Sequence, residues 1–196
     1  QIAPLDLKQV ELIKGSAATL YGGGAIAGLV NLITKTPVEK PELSFLLNAN
    51  SGKGIDLNGF YSEKGKTIGT TIFSSYNYNG AYDPAGIGLT AIPKTSRFTF
   101  NPKVFFYFPR TTAWFGINTT VEERYGGDLS VINGHADNVH QYFEKNKSSR
   151  ISSQLSVVHT INNYSRLSFK NSIGFFNRQL ILPGTSFKGN QWSSFT

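Results

Sequence analysis

Cysteine is absent from the 196 residues, charged side chains make up only 16 %, and no run approaches ~20 consecutive apolar residues. The first absence removes disulfide and thiolate chemistry and suits a chain that crosses an oxidising compartment unfolded. The last excludes a membrane-spanning helix, but not a membrane, because a barrel strand needs only about 10 alternating residues. Helix formers are scarce, whereas aromatics (13 %) and Gly, Asn, Ser and Thr are abundant, so the chain reads as all-β. The net charge of +7 invites a nucleic-acid reading, but the basic residues are scattered, with no run and no basic helical face. No nucleic-acid partner is expected; such a surface equally favours anionic lipid or lipopolysaccharide. There is no Gly-Lys-Ser/Thr phosphate cradle and no Ser-His-Asp arrangement. His135, His140 and His159 lack the acids or cysteines of a metal cluster. Nothing argues for an enzyme, and no metal or cofactor is expected. Residues 1–8 have no basic head followed by an apolar stretch, and the chain opens mid-motif, so it is expected to be an internal piece of a longer protein.

From Glu42 onward apolar and polar residues alternate. Leu43, Phe45, Leu47 and Ala49 oppose Ser44, Asn48 and Asn50, with Leu46 out of phase. Ile55 and Leu57, then Ile68 and Ile72, continue the pattern, and Phe98 to Phe108 follows with Pro102 marking a bulge or an edge. Phe115, Ile117, Leu155, Val157, Leu167 and Phe169 fall on one face; Asn118, Gln154, Ser156 and Ser168 fall on the other. These are about seven antiparallel strands. Tight turns near Gly65, Pro109 and Asn163 alternate with long polar stretches, Asn77 to Ser96 and Tyr125 to Ser148. A soluble sandwich has no reason to place every long loop at one end, whereas outer-membrane barrels do. Phe106, Tyr107, Phe108, Trp114 and Phe115 flank one tight turn and Tyr164 another, as an aromatic girdle would. Tyr76, Tyr78 and Tyr82, with Asn77 and Asn79, enter the first long loop, where rings and amides together suit an organic ligand or a sugar. The alternative is a Tyr-rich loop that only packs on its neighbours.

Residues 10–35 are the most specific segment. Val10 to Lys14 reads as a short strand stopped by Gly15, and Ser16 caps a helical turn, Ala17 to Leu20. Gly22, Gly23, Gly24 and Gly28 mark sharp bends or close packing, and Leu29 to Thr34 resumes as a strand before Pro37. Gly22-x-Gly24-x-x-Ala27 formally fits a dinucleotide fingerprint, but a strand follows it where that motif needs a helix. The segment resembles the C-terminal end of the plug domain of TonB-dependent outer-membrane receptors. That family has a Glu-Val-Ile-Lys/Arg-Gly-Pro strand, a Leu-Tyr-Gly turn, a Gly-rich bend and an Ile-Asn-Ile-Ile-Thr-Lys strand in this order. Glu11, Lys14, Gly15, Tyr21, Gly22, Gly24, Gly28 and Asn31 are the matching positions; Ser16 stands where the family usually has Pro, and Ala27 where it often has Gly.

The resemblance implies the end of a plug over 1–37 and the first strands of a large plugged transmembrane antiparallel β-barrel over 38–196. It implies active uptake of a scarce nutrient across the bacterial outer membrane, with the TonB complex, outer-membrane lipid and a small nutrient (a siderophore, haem, cobalamin or an oligosaccharide) as partners. Gly15-Ser16-Ala17-Ala18-Thr19-Leu20-Tyr21-Gly22 is closer to the siderophore and vitamin branch than to the glycan importers. In the family the basic residue at Lys14 pairs with barrel glutamates. Gly24 and Gly28 are expected to have positive φ or a backbone neighbour too close for a side chain. The rival reading is a soluble β-sandwich binding module, which needs Phe115, Leu155 and Phe169 buried against a second sheet.

Overall fold

The computed structural model describes residues 5–15 and 28–196. Ser16 to Leu20, with the expected helical turn, and Tyr21, Gly22 and Gly24 lie outside the described residues. Two antiparallel sheets account for nearly everything. The small one pairs β1 (Leu7–Lys14) with β2 (Gly28–Thr34). The large one is an open meander in chain order: β3 (Glu42–Asn50), β4 (Gly54–Lys64), β5 (Ile68–Asn79), β6 (Lys94–Tyr107), β7 (Thr111–Gly127), β8 (Phe143–Thr160), β9 (Arg166–Leu182) and β10 (Thr185–Phe195). β3 and β10 are its edges. A one-turn helix, α1 (Leu129–Ile132), is capped by the Asp128 side chain, which accepts from the Ser130 N–H.

The sheet therefore has eight strands where the alternation predicts about seven. The additional one, β10, has only Phe187, Trp192 and Phe195 as large apolar residues, and they do not fall on one parity. Pro102 produces no bulge either: the β6–β7 register is the same at Phe100↔Thr119 and at Lys103↔Gly116. The connections at one end are all short (65–67, 108–110, 161–165). The other end carries both long ones, 80–93 and 128–142, together with the turns 51–53 and 183–184. The two long connections are joined through the bridge of Leu89 to Asp128, with Leu129 N–H donating to the Gly88 carbonyl at 2.9 Å, and Thr90 N–H donates to the carbonyl of Gly127 at the end of β7 at 2.9 Å.

The large sheet is inverted relative to a soluble protein. Its concave face is where burial occurs, and much of what is buried there is polar: Asn58, Ser62, Thr71, Ser75, Asn77, Asn101 and Lys103, around the rings of Phe60, Phe73 and Phe105. Its convex face is apolar and open, with Phe115 43 % and Phe169 46 % exposed. Among the described residues no second sheet covers that face. The assigned facings hold throughout: Asn118 lines the concave cavity, and Gly116↔Gln154, Trp114↔Ser156 and Val158↔Ser168 share its parity, whereas Phe115↔Leu155 and Val157↔Phe169 sit on the convex side.

Alternation also corrects four aromatic assignments. Tyr76 and Tyr78 are in β5 rather than in a loop, and their cross-strand partners Leu57 and Ile55 are convex, so their rings point away from the concavity. Trp114 is concave, its ring 6.2 Å from that of Phe105, and Tyr107 is concave beneath the Lys64 ammonium. Neither belongs to an outer girdle.

Candidate functional site

The small sheet and the concave wall enclose a cavity of about 990 Å³. β1 and β2 bring two residues of the Gly-rich segment's flanks together: Glu11 and Asn31 are cross-strand partners, and the Asn31 amide donates to the Glu11 carboxylate at 2.8 Å. Lys14 pairs in register with Gly28 and is exposed, with no carboxylate in ion-pair distance among the described residues. Its expected glutamate partners are not among them. Gly15 and Gly28 both have positive φ, 88° and 113°. A Cβ at Gly28 would lie 2.6 Å from the Ile13 carbonyl oxygen, so a side chain is excluded twice over, whereas Gly15 faces open space. Gly28→Ala should cost about 2–3 kcal/mol, and Gly15→Ala about 1–2 kcal/mol from backbone strain alone. Amide hydrogen exchange checks this: protection should fall on β1 and β2 in the first variant while β5–β7 keep theirs.

Docking of the small sheet onto the wall is polar. Lys103 is 6 % exposed, and its ammonium donates to the Thr34 hydroxyl at 2.6 Å and lies 5.6 Å from the Trp114 ring centroid. The Asn101 amide donates to the Asp6 carboxylate at 3.3 Å. Burial pushes the Asp6 carboxyl above its ordinary range, against the opposing pull of Lys103. The linker clips to the same end of the sheet: Lys35 pairs with Glu42 at 2.5 Å, and the Lys64 N–H donates to the Val38 carbonyl.

Towards the long loops the wall presents a set of charges that periodicity places on the concave face but did not single out as functional. Arg97 and Arg124 both bond Glu122, Arg178 donates to the Asn146 side chain at 3.2 Å, and Arg150 stacks over Phe176 at 5.2 Å. Opposite them the Asp56 carboxylate accepts from Asn48 at 3.0 Å and Asn77 at 2.7 Å. Glu122 is thus the centre of a guanidinium network. Four guanidinium groups with two carboxylates, Glu122 and Asp56, and several amides leave this part of the wall net positive and able to hold an anionic, oxygen-rich solute. Of the residues proposed for ligand contact, Asn79 has concave parity; Tyr82 stands outside the strands, bridged to Ile92. Among the described residues no group of side chains is arranged to hold a metal ion.

The convex belt carries a second geometric signal. Ile55, Tyr78, Ser96, Glu123 and Lys147 form one hydrogen-bonded row across β4 to β8. The row that begins at Glu63 continues through Thr70, Val104, Phe115 and Leu155. The apolar stretch thus runs from Ile55 to Tyr61 on β4 but from Ile151 to Val157 on β8. Its long-loop edge steps by two rows, or four residues, over these four strand spacings (Ile55 and Tyr78, then Phe98 and Val121, then Ile151), whereas at the short-turn edge Ile68, Phe106, Ala113 and Val157 share one row. With a rise of ~3.3 Å and a spacing of ~4.8 Å, that long-loop edge crosses the ladder at a slant of roughly 35°.

Comparison with known proteins is consistent but narrow. No family model matches the chain. A ferric enterobactin receptor, PirA, of Pseudomonas aeruginosa is 41 % identical over 39 residues, which is 20 % of this chain and 5 % of that protein. The likeness therefore covers a small part of the relative's length.

Proposed function

We propose that this chain is the end of the plug and the first wall strands of a TonB-dependent outer-membrane transporter that takes up a siderophore-like iron complex. The diagonal belt carries the membrane part of this reading. A soluble sheet has no reason to carry an exposed apolar band whose long-loop edge steps across its own ladder from Ile55 on β4 to Ile151 on β8, whereas barrel strands cross a bilayer tilted by about 35–45°. The inverted burial, with polar residues inside and apolar residues outside, supports the same reading, as does the placing of both long connections at one end. The plug assignment rests on the segment over residues 10–35 and on the polar docking of β1–β2 inside the concavity. The cargo class rests on the partial likeness to the ferric enterobactin receptor, and the guanidinium network suits an anionic complex.

Fractionation and uptake test the proposal together. The protein is expected in the outer-membrane fraction, extracted only by detergent, and expected to support accumulation of a ferric catecholate in cells with TonB but not in cells without it. Recovery as a detergent-free soluble monomer would overturn the membrane reading. Outer-membrane recovery with TonB-independent accumulation would remove the transport mechanism while keeping the barrel.

A further inference from the structure

Measured from the edge of the apolar belt rather than along the ladder, the basic residues of the convex face fall into line. Lys94 on β6 is four residues beyond Phe98, Lys147 on β8 four beyond Ile151, and Lys188 on β10 four beyond Trp192. On the intervening strands the equivalent positions are Tyr125, four beyond Val121, and Gln179, four beyond Phe175. A line parallel to the belt thus reads Lys94, Tyr125, Lys147, Gln179, Lys188, with a cation on every second strand, so that successive ammonium groups are about 10 Å apart. Lys145 adds a fourth charge, over the Tyr125 ring at 5.5 Å. On the convex face the strand residues of this stretch include a single carboxylate, Glu123, which Lys145 and Lys147 share at 2.8 and 3.6 Å, Glu144 having the opposite parity. Past the belt's other edge, the same face carries Glu63 and His159 and no strand lysine.

We propose that this line is a binding site for a phosphate-bearing glycolipid of the leaflet on the long-loop side, its acyl chains lying along the belt and its anionic headgroup held by Lys94, Lys147 and Lys188. The inference rests on the barrel reading and adds a ligand on the outside of the wall. The occupant must present acyl chains and negative charge together, because the lysines border an apolar surface of several strands' width and their stems reach back over it. Tyr125 and Gln179 supply hydrogen-bonding groups between the cations, as a sugar headgroup requires. The difference between the two edges of the belt matches a bilayer whose leaflets differ in charge.

The test uses the detergent-purified protein and two probes, lipopolysaccharide with a phosphorylated lipid A and the same lipid dephosphorylated. The K94Q/K147Q/K188Q variant is compared with K66Q/R110Q, which removes two charges at the short-turn end. Heat-modifiable gel mobility reports in each case whether the sheet is assembled. Phosphorylated lipid should bind wild type and K66Q/R110Q alike, and the triple variant roughly 10- to 100-fold more weakly; dephosphorylated lipid should bind all three as weakly as the triple variant binds its phosphorylated form. Lys188→Gln alone should show part of the loss. An assembled triple variant with wild-type affinity, or a wild type indifferent to the phosphates, overturns the proposal while leaving the barrel intact. A wild type that needs no detergent overturns the barrel reading and this site with it.

Discussion

Placing an arginine at Leu155 should cost about 2–4 kcal/mol of assembly free energy, as a charge on the lipid face near mid-bilayer does, and an arginine at the adjacent Gln154 should cost almost nothing. Leu155 lies in the middle of the belt, in the row of Phe115 and Val104. Gln154 is on the opposite face, exposed to the concavity and paired with Gly116 and Ser172. Ser156 is a poorer control than its polar character suggests: it is 7 % exposed opposite Trp114, so a long side chain there would collide with packed neighbours whatever the surroundings of the sheet. The measurement is the folded fraction by heat-modifiable mobility, in lipid, across a urea series. Equal tolerance at 154 and 155 would mean that the convex face meets water rather than acyl chains. Because side chains alternate, a one-residue error in register would invert the result instead of blurring it.

Removing Lys103 should have the next largest effect, and a local one. Lys103→Met forfeits the 2.6 Å bond to Thr34, an ionic hydrogen bond of a kind that contributes about 1.5–3 kcal/mol, and leaves the half-buried Asp6 without its nearest cation. Hydrogen exchange should accelerate on β1 and β2 while the β5–β7 ladder is unchanged. Adding Asp6→Asn should restore much of the protection, since a neutral amide needs no counter-charge. The pH dependence has a definite sign. Burial raises the Asp6 carboxyl in the docked state, so that state binds more protons than the free one between the ordinary carboxyl value of 3.8 and the raised value. Docking should therefore weaken as pH rises through that window and recover as pH falls, more steeply in Lys103→Met than in wild type. Unchanged β1–β2 protection in the variant would show that the small sheet is held by something other than this polar contact.

The strands whose convex face is a run of apolar residues were legible, because alternation reports one buried or lipid-facing side directly. Extent was less legible than existence. β7 and β8 run on past the belt as far as Gly127 and Phe143 through residues that are mostly polar on both faces, so the ladder continues there with little hydrophobic signature, and β9 runs through Asn177, Arg178 and Gln179 before ending in Leu180, Ile181 and Leu182. This is why the long connections are 80–93 and 128–142 rather than the wider stretches that polarity suggests. Tyr76 and Tyr78 were misplaced for the same reason: Asn77 and Asn79 beside them look like loop residues, but they are the concave half of a strand. β10 was missed because its residues serve an edge, with too few apolar positions to set a period. The arginines of the concave wall were visible as residues yet not as a group, since nothing local in the chain shows that Arg97, Glu122 and Arg124 converge across a register pair. Glu11 and Asn31 became partners for a similar reason, through the antiparallel pairing of β1 with β2.

Every strand of the large sheet pairs only with the strand before and the strand after it in the chain. Order of formation follows from that. Each hairpin can be laid down against the last without a distant segment being found first, which keeps the entropic cost of each step that of closing a short loop. The exceptions are the two connections at 80–93 and 128–142, the longest closures in the meander, and the bonds between them mean that the second forms on a template provided by the first. Growth should therefore proceed smoothly from β3 through β5, pause at the first of these closures, and pass the second more easily than its length alone would suggest.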